Sequence, residues 1–148
     1  RQAARETRRN RETIEDRSTK KNGRAIIMVL VDTSVWVSHF RESEPNLEQL
    51  LNDGEVTCHP FIVGELACGN LKNRREILSL LQLLPPATQA TPEEILQFID
   101  QYHLMGKGLG FIDVHLSASA VLSGVPMWTY DKRLNQANEE LGIRYTPL

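Results

Sequence analysis

The chain has 148 residues and a mass of 16.8 kDa, a length that suits one domain. Apolar residues make up 41% and charged residues 24%, which is typical of a globular chain that buries its own core. Cys58 and Cys68 are too few for a disulfide framework, and the longest apolar run, Ala25–Val31, is far shorter than the roughly 20 residues of a membrane helix. Composition therefore excludes a membrane protein, a disulfide scaffold, a fibre and a fully disordered chain, and the cysteine usage indicates a reducing compartment.

The net charge of −2 conceals a strong asymmetry along the chain. Residues 1–27 contain nine Lys or Arg and four Asp or Glu, a charge of +5, whereas residues 28–148 contain eight and fifteen, a charge of −7. Because residues 1–27 have almost no large apolar side chains before Ile26, we expect a basic N-terminal tail, with the folded domain at 28–148. The tail is either an upstream or cloning-derived segment before a natural start at Met28, or a basic arm that binds RNA or a partner protein.

Strands and helices are predicted to alternate along the domain. The strands are expected at Ala25–Val31, Glu55–Cys58, Val125–Tyr130 and Ile143–Thr146. The helices are expected at Val35–Phe40, Leu47–Leu51, Ile62–Cys68, Arg74–Leu84, Glu93–Met105, Ile112–Leu122 and Lys132–Leu141. Thr91-Pro92-Glu93-Glu94 supplies a cap, a proline at the first helical position and a glutamate at the third. Repeated β-α units of this kind predict a three-layer α/β/α fold with a mostly parallel central sheet.

Acidic residues lie where such a fold places its functional site. Asp32 directly follows the first strand, and Glu65 lies in the helix after the second strand. Asp113 opens the helix at 112–122, and Asp131 directly follows the strand at 125–130. Because the carboxyl ends of parallel strands meet at one edge of the sheet, we expect these four side chains to converge there.

Converging carboxylates repel one another, and a hard divalent cation relieves that repulsion. Mg²⁺ and Mn²⁺ prefer oxygen ligands, and such a cation can activate water and stabilise the charge that develops during phosphodiester cleavage. Each acid also has a structural alternative. Asp32 can cap the next helix, Asp113 can interact with a helix dipole, Glu65 can be a surface acid and Asp131 can belong to an ordinary turn. Their joint placement favours a metal site.

Four segments around these acids resemble the PIN-domain family, and more narrowly the VapC-type toxins of bacterial toxin–antitoxin pairs. The segments are Val-Asp-Thr-Ser-Val-Trp (31–36), Gly-Glu-Leu-Ala-Cys-Gly (64–69), Gly-Leu-Gly-Phe-Ile-Asp-Val-His-Leu-Ser-Ala-Ser-Ala (108–120) and Trp-Thr-Tyr-Asp-Lys-Arg-Leu (128–134). The resemblance covers Met28–Leu148 and places the family's three best-defined acids at Asp32, Glu65 and Asp113, with the fourth at Asp131.

The last segment departs from the commoner family form, in which an Asn or a second acid lies a few residues further on. Here Leu134 and Asn135 supply no second acid, so only the Asn of that form is present. The family also has a small hydroxyl residue beside the first acid and another before the last, and Ser34 and Thr129 occupy those positions. Their hydroxyls can orient a carboxylate or a water molecule on the metal, and helix capping and sheet packing are equally good explanations for them.

The resemblance implies the toxin of a type II toxin–antitoxin system: a cytoplasmic endoribonuclease that cleaves structured RNA, such as tRNA or rRNA, with metal-activated water. It implies that Asp32 and Asp113 bind Mg²⁺ or Mn²⁺, and that Glu65 and Asp131 bind it through water or hold a second ion. A cognate antitoxin and a homodimer are the implied protein partners. Basic residues beside the motifs are candidates for RNA phosphate contacts or simply promote solubility: Arg41, Lys107, Lys132 and Arg133.

Two other classes of function remain open at this point. The chain can be a catalytically silent PIN-like module that only binds RNA or protein, although the presence of all four acids argues against it. It can also be a metal-dependent DNA nuclease or a phosphatase on a similar scaffold. The phosphatase is less favoured because no Asp-x-Asp pair follows a strand.

Overall fold

The structure, a computed structural model, describes residues 20–21 and 24–148. The strands are β1 Lys20–Lys21, β2 Arg24–Ala25, β3 Val29–Val31, β4 Val56–Thr57 and β5 Met127–Trp128. The helices are α1 Thr33–Glu42, α2 Pro45–Asn52, α3 Pro60–Cys68, α4 Arg74–Leu83, α5 Pro92–Gln101, α6 Phe111–Ser123 and α7 Lys132–Glu140. Most of the tail expected at 1–27 lies outside the described residues, so its role and the division at Met28 stay predictions.

The central sheet is parallel, with β3 between β4 and β5. Leu30 lies opposite Thr57 of β4 and opposite Met127 of β5. Single parallel bridges extend the sheet at Pro86, beyond β4, and at Arg144, beyond β5. The chain therefore moves outward from β3 in one direction first and returns to the other side of β3 later.

This order places helices on both faces of the sheet. The chain passes from β3 to β4 through α1 and α2, and it later enters β5 from α6 on the opposite side of β3. Right-handed crossovers that run in opposite directions put their helices on opposite faces. The predicted three-layer α/β/α fold with a mostly parallel sheet is confirmed.

Two apolar clusters hold the layers together. The larger one surrounds β3, whose three residues are fully buried, as expected for a central parallel strand. The smaller one packs α5 against α6 through Ile95, Phe98, Leu104, Val114 and Ala118. Burial of each large aliphatic side chain contributes about 1.5–3 kcal/mol, so both clusters fix the helices that carry the acids.

Several predicted elements are shorter than expected: the strand predicted at Val125–Tyr130 is Met127–Trp128, and the one predicted at Ile143–Thr146 is a single bridge at Arg144. Two further differences have identifiable reasons. Of the strand expected at Ala25–Val31, only Val29–Val31 joins the parallel sheet, because β2 turns away to pair antiparallel with β1. The helix expected to reach Met105 ends at Gln101, and His103 has a positive φ of 53° that breaks the helical path.

The predicted start of α5 is confirmed in detail. Thr91 Oγ1 accepts a hydrogen bond from the Glu94 N–H at 3.2 Å, and Glu94 Oε1 accepts one from the Thr91 N–H at 3.0 Å. Pro92 occupies the first turn, where its missing N–H is not needed.

The direction of α6 matters for the site. It ends at Ser123, and the chain enters β5 at Met127 after a short connection, so α6 runs antiparallel to β5. Its first turn therefore lies at the carboxyl edge of the sheet. Within the described ranges, no helix combines the length and apolar character needed to cross a lipid bilayer.

Candidate functional site

Asp32 is the most firmly held of the four acids. It directly follows β3, is buried, and donates its backbone N–H to the Trp128 carbonyl at 2.9 Å. Its Oδ2 accepts hydrogen bonds from Ser34 Oγ at 2.7 Å and from Thr129 Oγ1 at 2.8 Å. The same carboxylate caps α1 through a longer contact of 3.4 Å from the Ser34 N–H, so its capping alternative is present as well.

Glu65 reaches the same edge from α3. That helix begins after His59, whose Nδ1 accepts a hydrogen bond from the Phe61 N–H at 3.0 Å. Glu65 Oε2 accepts a hydrogen bond from Thr33 Oγ1 at 2.5 Å, and Thr33 is the residue directly after Asp32. This contact places the second acid beside the first, and no sequence pattern singled out Thr33.

Asp113 lies in the first turn of α6, where its Oδ2 accepts a hydrogen bond from the Gly110 N–H at 3.1 Å. Burial raises the pKa of the Asp113 carboxyl, the Gly110 N–H opposes that rise, and the negative charges of Asp32 and Asp131 add to it. Asp113 is therefore close enough to Asp32 and to Asp131 to be repelled by both.

Asp131 is the exposed member of the group and the N-cap of α7. Its Oδ1 accepts a hydrogen bond from the Leu134 N–H at 2.9 Å, so the side chain caps the helix. Its own N–H donates to Thr129 Oγ1 at 3.1 Å. Thr129 therefore contacts both the first and the last acid of the group.

The two oxygens of each of the four carboxylates differ in their hydrogen bonding. In each one, a single oxygen accepts the hydrogen bonds given above, and the other oxygen has no donor among the described residues. Within that same part of the chain, no three His, Cys, Asp or Glu side chains are close enough to form a ready-made metal site. The arrangement thus offers carboxylate oxygens without donors at one edge of the sheet.

Hydrogen bonds outside the acidic site hold the loop that carries Asp131, and they were not predicted from the sequence. Tyr130 donates its hydroxyl to Glu44 Oε1 at 2.8 Å, and Ser38 donates to the same oxygen at 2.6 Å. The Tyr130 N–H also donates to Ser34 Oγ at 3.1 Å. A tyrosine directly before the last acid is the one signal that the sequence offered, and it did not reveal Glu44 as the partner.

The basic residues proposed to contact RNA differ in whether they form ion pairs with acidic side chains. Lys107 forms an ion pair with Glu140 at 2.6 Å, whereas Lys132 and Arg133 are exposed beside Asp131. Arg133 crosses so close to Gly108 that a Cβ built there would lie 2.6 Å from its Nη1 atom. Arg41 lines a groove next to Glu65.

Comparison with known proteins agrees with this fold. Residues 29–140 match the family model described as the PIN domain. The chain belongs to the PIN-domain family.

Among curated proteins, it is 43% identical over 117 residues to Ribonuclease VapC32 of Mycobacterium tuberculosis, in strains CDC 1551 / Oshkosh and ATCC 25618 / H37Rv. That alignment covers 78% of this chain and 94% of the relative.

Solved structures share the fold at lower identity. PAE2754 from Pyrobaculum aerophilum is 15% identical with a TM-score of 0.55, and the match covers 76% of this chain and 85% of that one. FitAcB from Neisseria gonorrhoeae is 18% identical with a TM-score of 0.54, covering 76% and 94% respectively. FitAB bound to an IR36 DNA fragment is 17% identical with a TM-score of 0.51, covering 76% and 91%.

Proposed function

We propose that this chain is the toxin of a type II toxin–antitoxin system and acts as an endoribonuclease that depends on Mg²⁺ or Mn²⁺. The observation that carries the proposal is the position of Asp113, whose carboxyl is affected by the charges of both Asp32 and Asp131. Glu65 lies beside Asp32 through its hydrogen bond with Thr33. The 43% identity to a protein named Ribonuclease VapC32 supports the same activity.

The donor chemistry of these residues fits a hard divalent cation, although among the described residues their side chains do not form a closed metal site. Each of the four acids keeps one carboxylate oxygen without a donor in the described part of the chain, and oxygen ligands suit Mg²⁺ and Mn²⁺. Asp32 and Asp113 would hold the cation directly, and Glu65 and Asp131 would hold it through water or hold a second ion. When bound, the cation supplies activation of water and stabilisation of the charge that develops at phosphorus.

The chain's own residues prepare this arrangement before any ligand binds. Ser34 and Thr129 hold Asp32 in one orientation by two hydrogen bonds to Oδ2, which directs Oδ1 away from them. The Gly110 N–H does the same for Asp113 at the start of α6. Rigidly held carboxylates reduce the reorganisation needed in the transition state, which is how such sites gain rate.

RNA binding would rely on cations at the same edge of the sheet. Arg41, Lys132 and Arg133 are the candidates without an acidic ion-pair partner among the described residues, and Lys107 would first have to leave Glu140. Phosphate contacts of this kind weaken as salt rises. Structured RNA such as tRNA or rRNA is the proposed substrate, and the cytoplasm is the proposed location.

The proposal also includes a cognate antitoxin and a homodimer. Leu80 and Leu83 on α4 are 58% and 80% exposed, and large apolar side chains so open to water are typical of a protein contact. Sedimentation of the isolated protein tests the homodimer, and replacement of Leu83 by Glu is expected to lower its association constant.

Incubation of the protein with total RNA and Mg²⁺ or Mn²⁺, followed by mapping of new ends, tests the activity. We expect defined cuts that disappear with a chelator and in the Asp113→Asn protein. Asp100→Asn makes the same change at an exposed position of α5, away from the site, and is expected to cut like wild type. Cleavage that survives Asp113→Asn at full rate would exclude the proposed role, and cleavage of DNA or a simple phosphate ester instead of RNA would point to the other classes.

A further inference from the structure

A groove of about 680 Å³ lies between α1, α3 and the start of α4. We call it the Glu65 groove, because Glu65 and Thr33 both line it and make it continuous with the acidic site. The other lining residues used below are Phe40, Arg41, Lys72 and Asn73. Its volume falls within the usual range of small-ligand sites, roughly 300–1,000 Å³.

Two free cations line this groove in an otherwise acidic domain. Arg41 and Lys72 are exposed, and neither has an acidic ion-pair partner among the described residues. Lys107 and Arg144, by contrast, pair with glutamates at 2.6 and 3.1 Å. Val37, Leu66, Leu71 and Ile77 line the groove as well, so it combines apolar surface with two cations that can bind phosphate.

An aromatic ring and a free amide complete the lining. The Phe40 ring stacks on Trp36 with centroids 5.9 Å apart and is 36% exposed, so it is held in place and open to the groove. Asn73 precedes α4 in a left-handed conformation, yet its side chain makes no capping hydrogen bond. The amide is therefore available to a ligand, and it can both donate and accept.

We propose that the Glu65 groove binds one single-stranded nucleotide of the RNA substrate, next to the phosphodiester that is cleaved. Phe40 contacts the base face, Asn73 contacts the base edge, and Arg41 with Lys72 binds the phosphate. Aromatic stacking combined with edge contacts is how proteins read unpaired RNA bases. This inference rests on the proposed RNase function and adds the element that selects the nucleotide beside the cut.

Binding of a fluorescein-labelled, random-sequence RNA nonamer in EDTA tests the cationic part of the groove without cleavage. We expect Arg41→Gln and Lys72→Gln each to weaken binding at least threefold. Each is also expected to reduce the slope of log K against log salt concentration by about 0.7, the value for one phosphate contact on a single strand. Arg75→Gln, on α4 and outside the groove lining, removes the same charge and is expected to change neither quantity.

Sequence profiles of the cuts in total RNA test the part that reads the base. In the Asn73→Ala protein, we expect the preference at one nucleotide beside the cut to fall. Phe40→Leu should instead weaken nonamer binding about fivefold for every base, the lower end of what one stacked base contributes. Thermal unfolding and circular dichroism show whether each variant is folded, and Arg75→Gln again serves as the control.

The outcomes separate this inference from the proposed function. If the groove variants leave RNA affinity, salt slope and cut profile unchanged while Asp113→Asn abolishes cleavage, the groove does not bind substrate, although the RNase function stands. A protein segment would then be its occupant. If wild type cuts no RNA but its nonamer binding depends on Arg41 and Lys72, the RNase function fails and the groove remains an RNA site. If wild type does not bind the nonamer, the inference is overturned.

Discussion

Thr129 donates a hydrogen bond of 2.8 Å to Asp32, although 97 residues separate them in sequence. Thr129 directly follows β5 and Asp32 directly follows β3, so the parallel pairing of these strands brings the two residues to one edge. The same Thr129 hydroxyl accepts a hydrogen bond from the Asp131 N–H at 3.1 Å. One buried hydroxyl thus links the first acid to the loop that holds the last.

Replacement of Thr129 by Val keeps the shape of the side chain and removes this hydroxyl. We expect RNA cleavage to fall about tenfold and the free energy of unfolding to fall by about 1–3 kcal/mol, because the Asp131 N–H and Asp32 lose a buried partner. Thr129→Ser keeps the hydroxyl and should retain most of both quantities. Equal activity of the Val and Ser variants would show that the hydrogen bonds do not orient Asp32.

Loss of the hydrogen bond between Tyr130 and Glu44 is expected to reduce RNA cleavage less than Thr129→Val does. Burial, together with the Glu44 carboxylate, raises the pKa of the Tyr130 hydroxyl to about 12, so it stays a donor throughout the neutral and mildly alkaline range. Tyr130→Phe should lower cleavage about twofold to fivefold. The loop that carries Asp131 then loses the hydrogen bond from Tyr130 to Glu44, which contributes roughly 1 kcal/mol. Tyr102→Phe, on an exposed tyrosine away from the site, is the matched control. An equal loss of cleavage in both variants would show that the hydrogen bond between Tyr130 and Glu44 does not position the Asp131 loop.

Two glycines in one loop provide a sharp test of the Arg133 contact. Gly106 and Gly108 both have a φ of +73°, so alanine at either position strains the backbone by about 1 kcal/mol. Only at Gly108 would the new Cβ also meet Arg133, at 2.6 Å from Nη1, whereas nothing lies within 4 Å at Gly106. Urea unfolding should show a similar loss for both variants, while RNA affinity should fall only for Gly108→Ala.

The double variant Gly108→Ala with Arg133→Ala then isolates the guanidinium. If Arg133 binds RNA, the double variant should bind no more weakly than Arg133→Ala alone. An additive loss would mean that Gly108 affects binding through the backbone and not through Arg133.

His59 gives the domain a pH-dependent stability. Burial, with a smaller effect of His115, lowers the pKa of His59 to about 4. An unfolded histidine takes up its proton near pH 6.5, so the unfolded state binds more protons than the folded state between about pH 6.5 and 4. The free energy of unfolding should therefore decrease as pH falls through this window, by roughly 3 kcal/mol in total.

The comparison of wild type with His59→Asn isolates this contribution. Asn can still accept the hydrogen bond that His59 Nδ1 takes from the Phe61 N–H, yet it does not titrate. Denaturant unfolding at several pH values between 7 and 4 should show a weaker pH dependence in the variant. Parallel curves for the two proteins would show that His59 is not the group responsible.

Much of the fold was predictable because its signals are local. The apolar residues of β3, the Thr91–Glu94 capping box and the glycines after helices mark elements that form from neighbouring residues. The bridge at Pro86 was not predicted, because one paired residue beside a second proline has no strand pattern. Leu104 extended a helical pattern, but it is buried against α6 after the chain has already left the helix.

The candidate site, too, could be predicted only in part from the sequence. Right-handed crossovers and the carboxyl edges of parallel strands predicted that Asp32, Asp113 and Asp131 would converge, and the charges of Asp32 and Asp131 do act on Asp113. The contacts that hold the acids were invisible to sequence reasoning, since they join distant segments. Thr33 with Glu65 and Tyr130 with Glu44 span 32 and 86 residues, and no local pattern encodes such pairs.

The central claim is that these acids hold a divalent cation, and calorimetric titration of the protein with Mn²⁺ tests it most directly. Wild type is expected to bind Mn²⁺, and Asp32→Asn and Asp113→Asn proteins, shown to be folded by circular dichroism, are expected to bind it at least tenfold more weakly, while Asp100→Asn binds like wild type. Absence of Mn²⁺ binding in wild type, or equal binding in all four proteins, would contradict the claim.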